Sequence, residues 1–391
     1  MKLKLIVIFL ILSTACFSEQ EEKNFRYQLL QEKIEFFYLD PTPTTAKEII
    51  QKAKDLNRID SLLGVVTAFA RYYPKEIVTW IKETEINFEQ HPHLIDALYM
   101  GGLRGEAIQL ALKAQLPVQK ILSFGGQIQS FLTIPVDFVG SVQYMCCHFY
   151  ISGDARYGQR IIDVLELTLK QIANLKELEE LKNQAKAVLR ELIFKHDKIY
   201  QLCLQEVKTR KGYSQTVLNQ LLNEQHQAQK KESPSKNETL NGMIVTTDNM
   251  SFEEQWENLP AMEGPGIKLV SSIPYPDTPE KNTTIRIFIV FSGYELDKDL
   301  NAYLTYDMEI SDPQGAKIAD FHDLPALKKK VPSRFFSQKT GQPVVIAIEA
   351  DENNNDPTPP GTFIIHATLK DHIAKKDLKL TATLELLPSE K

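Results

Sequence analysis

The sequence predicts a multidomain protein: an N-terminal all-α helical array, α-solenoid-like, followed by a C-terminal all-β antiparallel Ig-like sandwich. Over residues 24–222 the apolar side chains recur at helical spacing, with short breaks between stretches. Residues 223–241 are rich in Gln, Lys, Glu, Ser and Asn, which is typical of a polar linker. In residues 242–391 the apolar period changes to two, the pattern of strands.

The chain opens with a segment that resembles a secretory signal peptide. Lys2 and Lys4 precede an apolar run over 5–12, and small residues follow that run. The run is too short to span a bilayer as an ordinary transmembrane helix. We therefore expect residues 1–16 to direct export, and residues 17–23 to form a short polar tether.

Cys16 is the candidate modification site. Cleavage after Ala15 would make Cys16 the first residue of the mature chain, where bacterial lipoproteins carry their lipid. Thr14 and Ala15 fit the cleavage box of that class, whereas the leucine lies one position early, at Leu12. Two interpretations stay open: lipidation of Cys16, or an ordinary signal peptide that is cleaved nearby.

Composition places the chain among ordinary globular proteins. Its 391 residues, 43% hydrophobic and 25% charged, suffice for roughly two to three domains. The net charge of −6 argues against a general nucleic-acid binder. After Cys16 only Cys146, Cys147 and Cys203 remain, too few for a fold held by disulfides. A bridge to Cys203 and buried free thiols are both compatible with this count.

Caps and turn residues divide the first half into helices. Thr45 and Glu48 form a capping-box pattern at a helix start. The Gly101-Gly102 pair turns a helix hairpin in which small residues allow close backbone approach, Gly153 predicts a left-handed C-cap, and Asp154 predicts the next N-cap. The predicted helical stretches are 25–37, 46–56, 60–70, 76–86, the hairpin over 94–111, 136–150, 157–172, and one or two helices over 175–222.

The second half predicts strands separated by strong turn signals at 312–315 and 359–361. Several short strands with almost no helix between them favour an antiparallel sandwich. The cysteine–tryptophan core of antibody domains is absent, so the pattern implies the architecture alone. The predicted strands are 266–273, 284–291, 302–310, 344–350, 363–369 and 378–387.

Core and turn positions in both halves resemble uncharacterised exported bacterial proteins. The resemblance implies an extracytoplasmic location and a helical domain followed by a sandwich, and no active-site residues come with it. It is carried in the helical half by 69–74, Trp80, 97–99, 137–149, 153–154 and 161–162, and at the C-terminal end by 360–363, 369–371 and 380–387.

Motifs typical of catalysis are few. The S-x-x-K pattern at 233–236 and the K-T-G pattern at 339–341 occur in serine β-lactamases and penicillin-binding proteins. Ser233 lies in the polar linker and the intermediate motif is missing, so we interpret the pair as a chance match. His91 and His93 flank a proline on a turn and lack a third ligand, which favours a solvated turn over a metal site.

Asp351, Glu352 and Asp356 form the one candidate metal site. They lie between two predicted strands, where sandwich domains outside the cell often hold calcium, but the glycine and terminal glutamate of the helix–loop–helix site are missing. An exposed polar hairpin loop is the preferred interpretation, and no other cofactor is expected. The basic run 328–330 is similarly interpreted as a solvated loop.

These features suggest a two-domain protein of the bacterial cell envelope, in the periplasm or associated with the outer membrane. We expect it to bind a protein partner or envelope component without catalysis, with a lipid anchor as one route to the membrane and no nucleic-acid partner. The alternative is an envelope hydrolase or carbohydrate-active protein with an accessory sandwich. Its acidic residues would have to converge from distant positions in the chain.

Overall fold

The chain divides into a helical unit and a sheet unit. The helical unit comprises Met1–Leu192 and Gln201–Asn219, and the sheet unit comprises Ile193–Tyr200 and Gln220–Lys391. The predicted order, helices first and sheets second, is confirmed. The computed structural model describes residues 19–116, 131–133, 136, 140–172, 174–232, 240–257, 270–274, 283–348 and 360–388.

Helices make up most of the described chain up to Glu232. Among the described residues no helix is long and apolar enough to cross a membrane. The helices are α1 (Glu19–Glu35), α2 (Pro43–Asp55), α3 (Leu63–Tyr72), α4 (Ile77–Glu83), α5 (His93–Gly101), α6 (Arg104–Lys113), α7 (Gly140–Ser152), α8 (Ala155–Val164), α9 (Leu175–Lys195), α10 (Asp197–Thr209) and α11 (Gly212–Glu232).

Helix starts follow local capping chemistry. The predicted cap at Thr45 is wrong: Thr42 caps α2, and its hydroxyl oxygen accepts a hydrogen bond from the backbone N–H of Thr45 at 3.1 Å. Pro43 explains the shift, because its fixed φ and missing N–H suit the first helical position. At α8 the prediction is confirmed, since Asp154 caps the helix after Gly153, which has a φ of 65°.

Gly101 brings two helices into close contact. A Cβ at this position would lie 2.3 Å from the Cβ of Ala70 and 2.6 Å from the carbonyl oxygen of Thr67, both on α3. The close approach predicted from the small residues therefore occurs, but it joins α5 to α3. Gly102 follows with a φ of 113° and ends α5 in the left-handed region.

The predicted apolar helix over 136–150 corresponds to α7, which continues two residues further at its C-terminal end. Val142, Met145 and Phe149 are at most 1% exposed, which confirms that this face is buried. Phe138, the fourth residue of the predicted face, lies outside the described residues.

Three helices, α9 to α11, occupy the region where the sequence predicts one or two over 175–222. α11 continues to Glu232, so the start of the predicted linker 223–241 is helical. The Gln, Glu and Lys residues there are polar, but they are also good helix formers. Residues 233–239 lie outside the described residues, and a strand begins at Asn241.

The sheet unit contains two sheets. The strands are β1 (Asn241–Thr247), β2 (Ser272–Pro274), β3 (Thr283–Ser292), β4 (Asn301–Ser311), β5 (Lys317–Lys330), β6 (Gln338–Lys339), β7 (Val344–Ile348), β8 (Gly361–Asp371) and β9 (Lys376–Leu387). In the first sheet, β3 lies between β1 and β6 and also pairs with β7. The second sheet has the order β2-β9-β8-β4-β5. A short helix, α12 (Phe252–Glu257), packs on the first sheet through Phe252 and Phe288.

The five-stranded sheet departs from the predictions in two ways. β2 pairs with β9 in parallel, with Ser272 opposite Glu385, so the sheet is mixed and the fully antiparallel prediction is wrong. β5 was not predicted, because Pro325 and several charged residues interrupt its apolar alternation. Such residues are typical of edge strands, and β5 is the edge of this sheet.

The two sheets approach each other between β1 and β9. A Cβ at Gly242 of β1 would lie 3.4 Å from the side chains of Leu378 and Leu380 of β9. On β4 the residues of the covered face, for example Leu304 and Met308, are at most 1% exposed. This packing leaves the opposite face of β4 uncovered.

Candidate binding surface on the five-stranded sheet

The uncovered face of the five-stranded sheet is mostly polar, with Ile364 of β8 as an exposed apolar side chain. Along β4, Tyr303, Asp307 and Glu309 alternate with buried apolar residues, and along β8 His366 and Lys370 do the same. Because successive strand residues point to opposite faces, these side chains share one surface. We call it the outer face; it comprises alternate residues of β4 from Tyr303 to Glu309, of β8 from Ile364 to Lys370, and the residues of β5 and β9 beside them.

A stack of three side chains lies at one end of the outer face. The rings of Tyr303 and His372 are nearly parallel, with centroids 4.4 Å apart, and the Lys328 ammonium lies 5.2 Å from the Tyr303 centroid. Lys328 is the cross-strand partner of Tyr303 on β5. The imidazole Nε2 of His372 is 2.8 Å from the hydroxyl of Thr305, a hydrogen bond that orients the ring.

Lys370 links two strands through carboxylates. Its ammonium donates to Asp307 at 2.8 Å and to Asp323 at 2.9 Å. The hydrogen bond to Asp307, with a further one to Asp323, raises the pKa of Lys370. Burial raises the pKa of Asp307, but hydrogen bonds from the Asp323 N–H and from Lys370 outweigh burial and lower it. A register shift between β4 and β5 at this point places Asp323 beside Asp307.

A second charged group lies further along the outer face. Lys317 donates to Glu309 at 2.7 Å and to Asp320 at 2.9 Å, and the hydrogen bond from Lys317 lowers the pKa of Asp320. On β8 the imidazole Nδ1 of His366 is 3.0 Å from the hydroxyl of Thr381 on β9. Cross-strand pairing thus holds donors and acceptors in fixed, accessible positions, an arrangement suited to binding a polar ligand.

The basic run 328–330 lies at the end of β5, so its interpretation as a loop is wrong. All three lysines are exposed. Three consecutive charges at the end of an edge strand discourage pairing with another chain.

The sequence-predicted site residues lie outside this surface or outside the described residues. Cys16 and the candidate calcium ligands Asp351, Glu352 and Asp356 belong to the second category, as does the S-x-x-K pattern at 233–236. Among the residues that the structure describes, no group of three or more His, Cys, Asp or Glu side chains could hold a metal ion.

The K-T-G residues at 339–341 have structural roles. Thr340 is fully buried; its backbone N–H donates to the carbonyl of Ile289 at 2.9 Å, and its hydroxyl accepts from the N–H of Ile289 at 3.3 Å. The Lys339 ammonium lies 5.3 Å from the ring centroid of Phe288. These contacts join β6 to β3, consistent with a chance match to the motif.

The two neighbouring histidines have different partners. His91 pairs with Asp60 at 3.1 Å, and His93 pairs with Asp96 at 3.6 Å. Because each imidazole has its own carboxylate, the geometry supports two separate surface pairs.

Among the described residues Cys146, Cys147 and Cys203 are free and buried, so the alternative of a bridge to Cys203 is not realised. Burial raises the pKa of Cys147 to about 12 and that of Cys203 to about 12, and it raises the pKa of Cys146 as well. Since the thiolate is the reactive form, these side chains behave as small apolar residues.

His148 is a buried polar residue that the sequence analysis did not single out. It is 2% exposed and lies among the rings of Tyr72, Phe131 and Tyr157, with centroid distances of 5.0 to 5.9 Å. Neither ring nitrogen has a hydrogen-bond partner among the described residues. Burial, together with repulsion from Arg71, lowers its pKa to about 3, so the ring is neutral.

Comparisons with known proteins define no family for this fold and surface. No protein-family model matches the chain, and no curated protein matches it. A family 123 glycoside hydrolase from Clostridium perfringens has 10% identity over 38% of this chain and a TM-score of 0.21; the match spans 27% of that enzyme. The Pseudomonas fluorescens alkylpurine DNA glycosylase AlkC, solved with DNA containing an abasic site analog, has 10% identity over 92% of this chain and 98% of that one, with a TM-score of 0.20. These TM-scores and identities are too low to indicate a shared fold or function.

Proposed function

We propose that this chain is an exported protein of the bacterial cell envelope that binds a protein or another envelope component without catalysis, and that the outer face is its binding surface. The outer face itself carries the proposal, because its hydrogen-bonding groups are accessible and held by cross-strand contacts. Three thiols and His148, side chains of types that often take part in catalysis, are instead buried and neutral.

The proposal includes the predicted topology of the mature chain. Residues 1–16 act as the signal peptide, and Cys16 carries lipid if the lipoprotein interpretation holds. The predicted tether 17–23 is shorter than expected, because α1 begins at Glu19. An α-solenoid-like array over 24–222 and an Ig-like sandwich over 242–391 are the proposed architectures. Mass spectrometry of the mature N-terminus tests this part: a lipid-modified Cys16 supports the anchor, and an unmodified start beyond Ser18 contradicts it.

Site-specific crosslinking in intact cells tests the binding surface. A photoreactive amino acid at Thr368 or Thr383 of the outer face should form an adduct with the same partner from both positions. Leu169 and Lys170, exposed in the helical unit, provide matched control positions. Adducts from the control positions alone, or none from the outer face, would contradict the proposal.

The hydrolase alternative has one observation in its favour: the carboxylates of Asp307, Glu309 and Asp320 lie on the same surface. Turnover of envelope glycans by the purified protein, lost in Glu309→Gln, would replace the binding proposal. No cofactor is part of either proposal; calcium at Asp351, Glu352 and Asp356 is tested by titration, with Asp356→Asn as the control variant.

A further inference from the structure

Six exposed lysines surround one end of the five-stranded sheet. Lys328, Lys329 and Lys330 end β5, and Lys298 lies in the loop before β4. Lys375 and Lys376 form the end of the hairpin that connects β8 to β9. We call this group the lysine end.

The pairing register brings the lysine end together from distant parts of the sequence. Lys330 lies opposite Asn301 at the start of β4, and Lys376 lies opposite Asp371 at the end of β8. Since neighbouring strands are about 4.8 Å apart, β5 and β9 are separated across β4 and β8 by about 14 Å. The lysines thus spread over a patch rather than along one strand.

The charges of the lysine end are not neutralised by ion pairs. Among the described residues none of these six lysines has a carboxylate within ion-pair distance, whereas Lys317 and Lys370 each bind two. The nearby carboxylate of Asp297 accepts from the backbone N–H groups of Asp299 and Asn301. The six lysines outnumber the three exposed aspartates at this end, Asp297, Asp299 and Asp377, so the patch is locally positive on a chain whose net charge is −6.

Aromatic and apolar groups lie beside these charges. Tyr303 is 41% exposed and stacks on His372, the first residue of the β8–β9 hairpin. Ile373 follows and is half-buried. The N–H groups of Ile373 and Ala374 both donate to the Asp371 carboxylate at 2.9 Å, which fixes the shape of the hairpin.

We propose that the lysine end docks on a lipid bilayer whose surface carries anionic phosphate headgroups. Lysines near such a surface are attracted by its negative potential, and tyrosine side chains favour the boundary between headgroups and acyl chains. The patch offers both kinds of group on a rigid strand end. The inference rests on the proposed envelope location and adds the surface that the protein meets there.

Vesicle flotation of the full chain tests the inference. Cys16→Ser is used throughout, so that a lipid anchor cannot cause binding. The protein should float with phosphatidylcholine vesicles that contain phosphatidylglycerol, should not float with pure phosphatidylcholine, and should be released by added salt, which screens exposed charges.

The decisive comparison uses two triple variants with the same change in charge. Lys328→Gln, Lys330→Gln and Lys376→Gln together should weaken binding roughly a hundredfold, because each lysine near an anionic surface contributes about fivefold. The control combines Lys170→Gln, Lys208→Gln and Lys211→Gln, which are exposed in the helical unit. It should bind like the parent chain, and thermal melting should show that both variants are folded.

Three results would overturn the inference: no binding to the anionic vesicles, equal binding by both variants, or an equal loss in both. Binding to soluble polyphosphate in the absence of vesicle binding would also overturn it, because the occupant would then not be a bilayer. A different result would contradict the proposed function without affecting this inference. A chain that is not exported but still binds anionic vesicles through these lysines would contradict the envelope location and leave the docking surface in place.

Discussion

Helix α7 and the five-stranded sheet place their polar side chains in opposite ways. In the helical unit Cys146, Cys147 and His148 are consecutive on α7, and each is at most 7% exposed. In the sheet unit His366 and Thr381 pair on a solvent-facing surface. A helix packed on all sides can bury its whole circumference, whereas a sheet with one covered face presents the other to solvent.

This difference indicates where a ligand can meet the protein. Burial raises the pKa of Cys147 to about 12, so almost no thiolate exists near neutral pH. Lys370 and Asp307 pair with each other in the charged form at an accessible position. Helix α7 therefore uses these polar side chains as core residues, whereas the five-stranded sheet presents polar side chains that are available for binding.

Phe149→Ala should have the largest effect. Phe149 is completely buried, so its truncation should lower the free energy of unfolding of the helical unit by about 3–5 kcal/mol, from lost transfer energy and a remaining cavity. Hydrogen exchange resolved by segment should show the loss in the helical unit alone. Leu169→Ala, at a position 53% exposed, is the control and should change little. If Phe149→Ala leaves the free energy of unfolding nearly unchanged and weakens partner binding, this helix face is an interaction surface and not part of the core.

Arg334→Met should destabilise the sheet unit by about 3 kcal/mol. The guanidinium of Arg334 donates to both carboxylate oxygens of Asp197, at 2.7 and 3.1 Å, and to Glu295 at 2.6 Å. Removing the cation leaves Asp197, whose side chain is 7% exposed, as an uncompensated charge.

Faster hydrogen exchange in both Ile193–Tyr200 and the 331–336 segment would support this role of Arg334, because Asp197 belongs to the sheet unit. Combining Arg334→Met with Asp197→Leu should recover part of the loss, since no buried charge remains. Unchanged exchange in these segments would show that the pair does not stabilise the unit.

Acidification should destabilise the helical unit through His148. The pKa of His148 in the folded state, about 3, lies below the usual histidine value of 6.5, so the unfolded state binds the proton more tightly. The contribution of neutral His148 to the free energy of unfolding is therefore complete above pH 6.5 and is lost as the pH falls toward 3. The loss amounts to about 3 kcal/mol at about pH 4. The free energy of unfolding, measured by denaturant titrations at several pH values over this range, should fall less steeply with decreasing pH in His148→Phe than in the parent protein. Because His196 has its pKa lowered by burial in both proteins, the difference between them isolates His148. Parallel pH profiles would contradict the neutral, buried assignment.

Lys370→Gln should have the smallest effect on stability. The pair with Asp307 lies at the surface, where ion pairs contribute little because water screens them and both side chains lose freedom. The melting temperature should therefore stay near that of the parent protein, with Lys379→Gln as an exposed control on β9. A clear drop specific to Lys370→Gln would mean that the charged group helps to hold β4 and β8 together.

Local signals predicted much of the fold. The strands at 284–291, 302–310, 363–369 and 378–387 alternate clearly, and each matches a longer observed strand. The sequence did not predict β5, because an exposed edge strand can carry charged residues and proline where a central strand would alternate apolar and polar residues. The cap at Thr42 was missed because Thr45 with Glu48 offered an equally good local pattern. Segments 193–200 and 220–232 belong to the sheet unit through tertiary packing, which has no local signature.

The outer face was beyond the reach of local reasoning. Tyr303 and His372 meet only because β4 pairs with β8 in one register, although many residues separate them in the sequence. Asp323 reaches Asp307 through a register shift that no motif marks. A single histidine among aromatic residues, such as His148, only weakly indicates a functional site, because histidines that merely fill a core show the same sequence pattern.

Thiol labelling of the full chain tests the central claim most directly. The claim is that the cysteine thiols of the helical unit are buried, whereas side chains on the outer face are accessible to solvent. Cys16→Ser removes the N-terminal thiol, and Thr383→Cys places a new one on the outer face, where Thr383 is exposed. Under native conditions the new cysteine should react with a maleimide at the rate of a free thiol, and Cys146, Cys147 and Cys203 should react only after denaturation. Fast native labelling of those three cysteines, or protection of the one at position 383 in the isolated protein, would contradict the account.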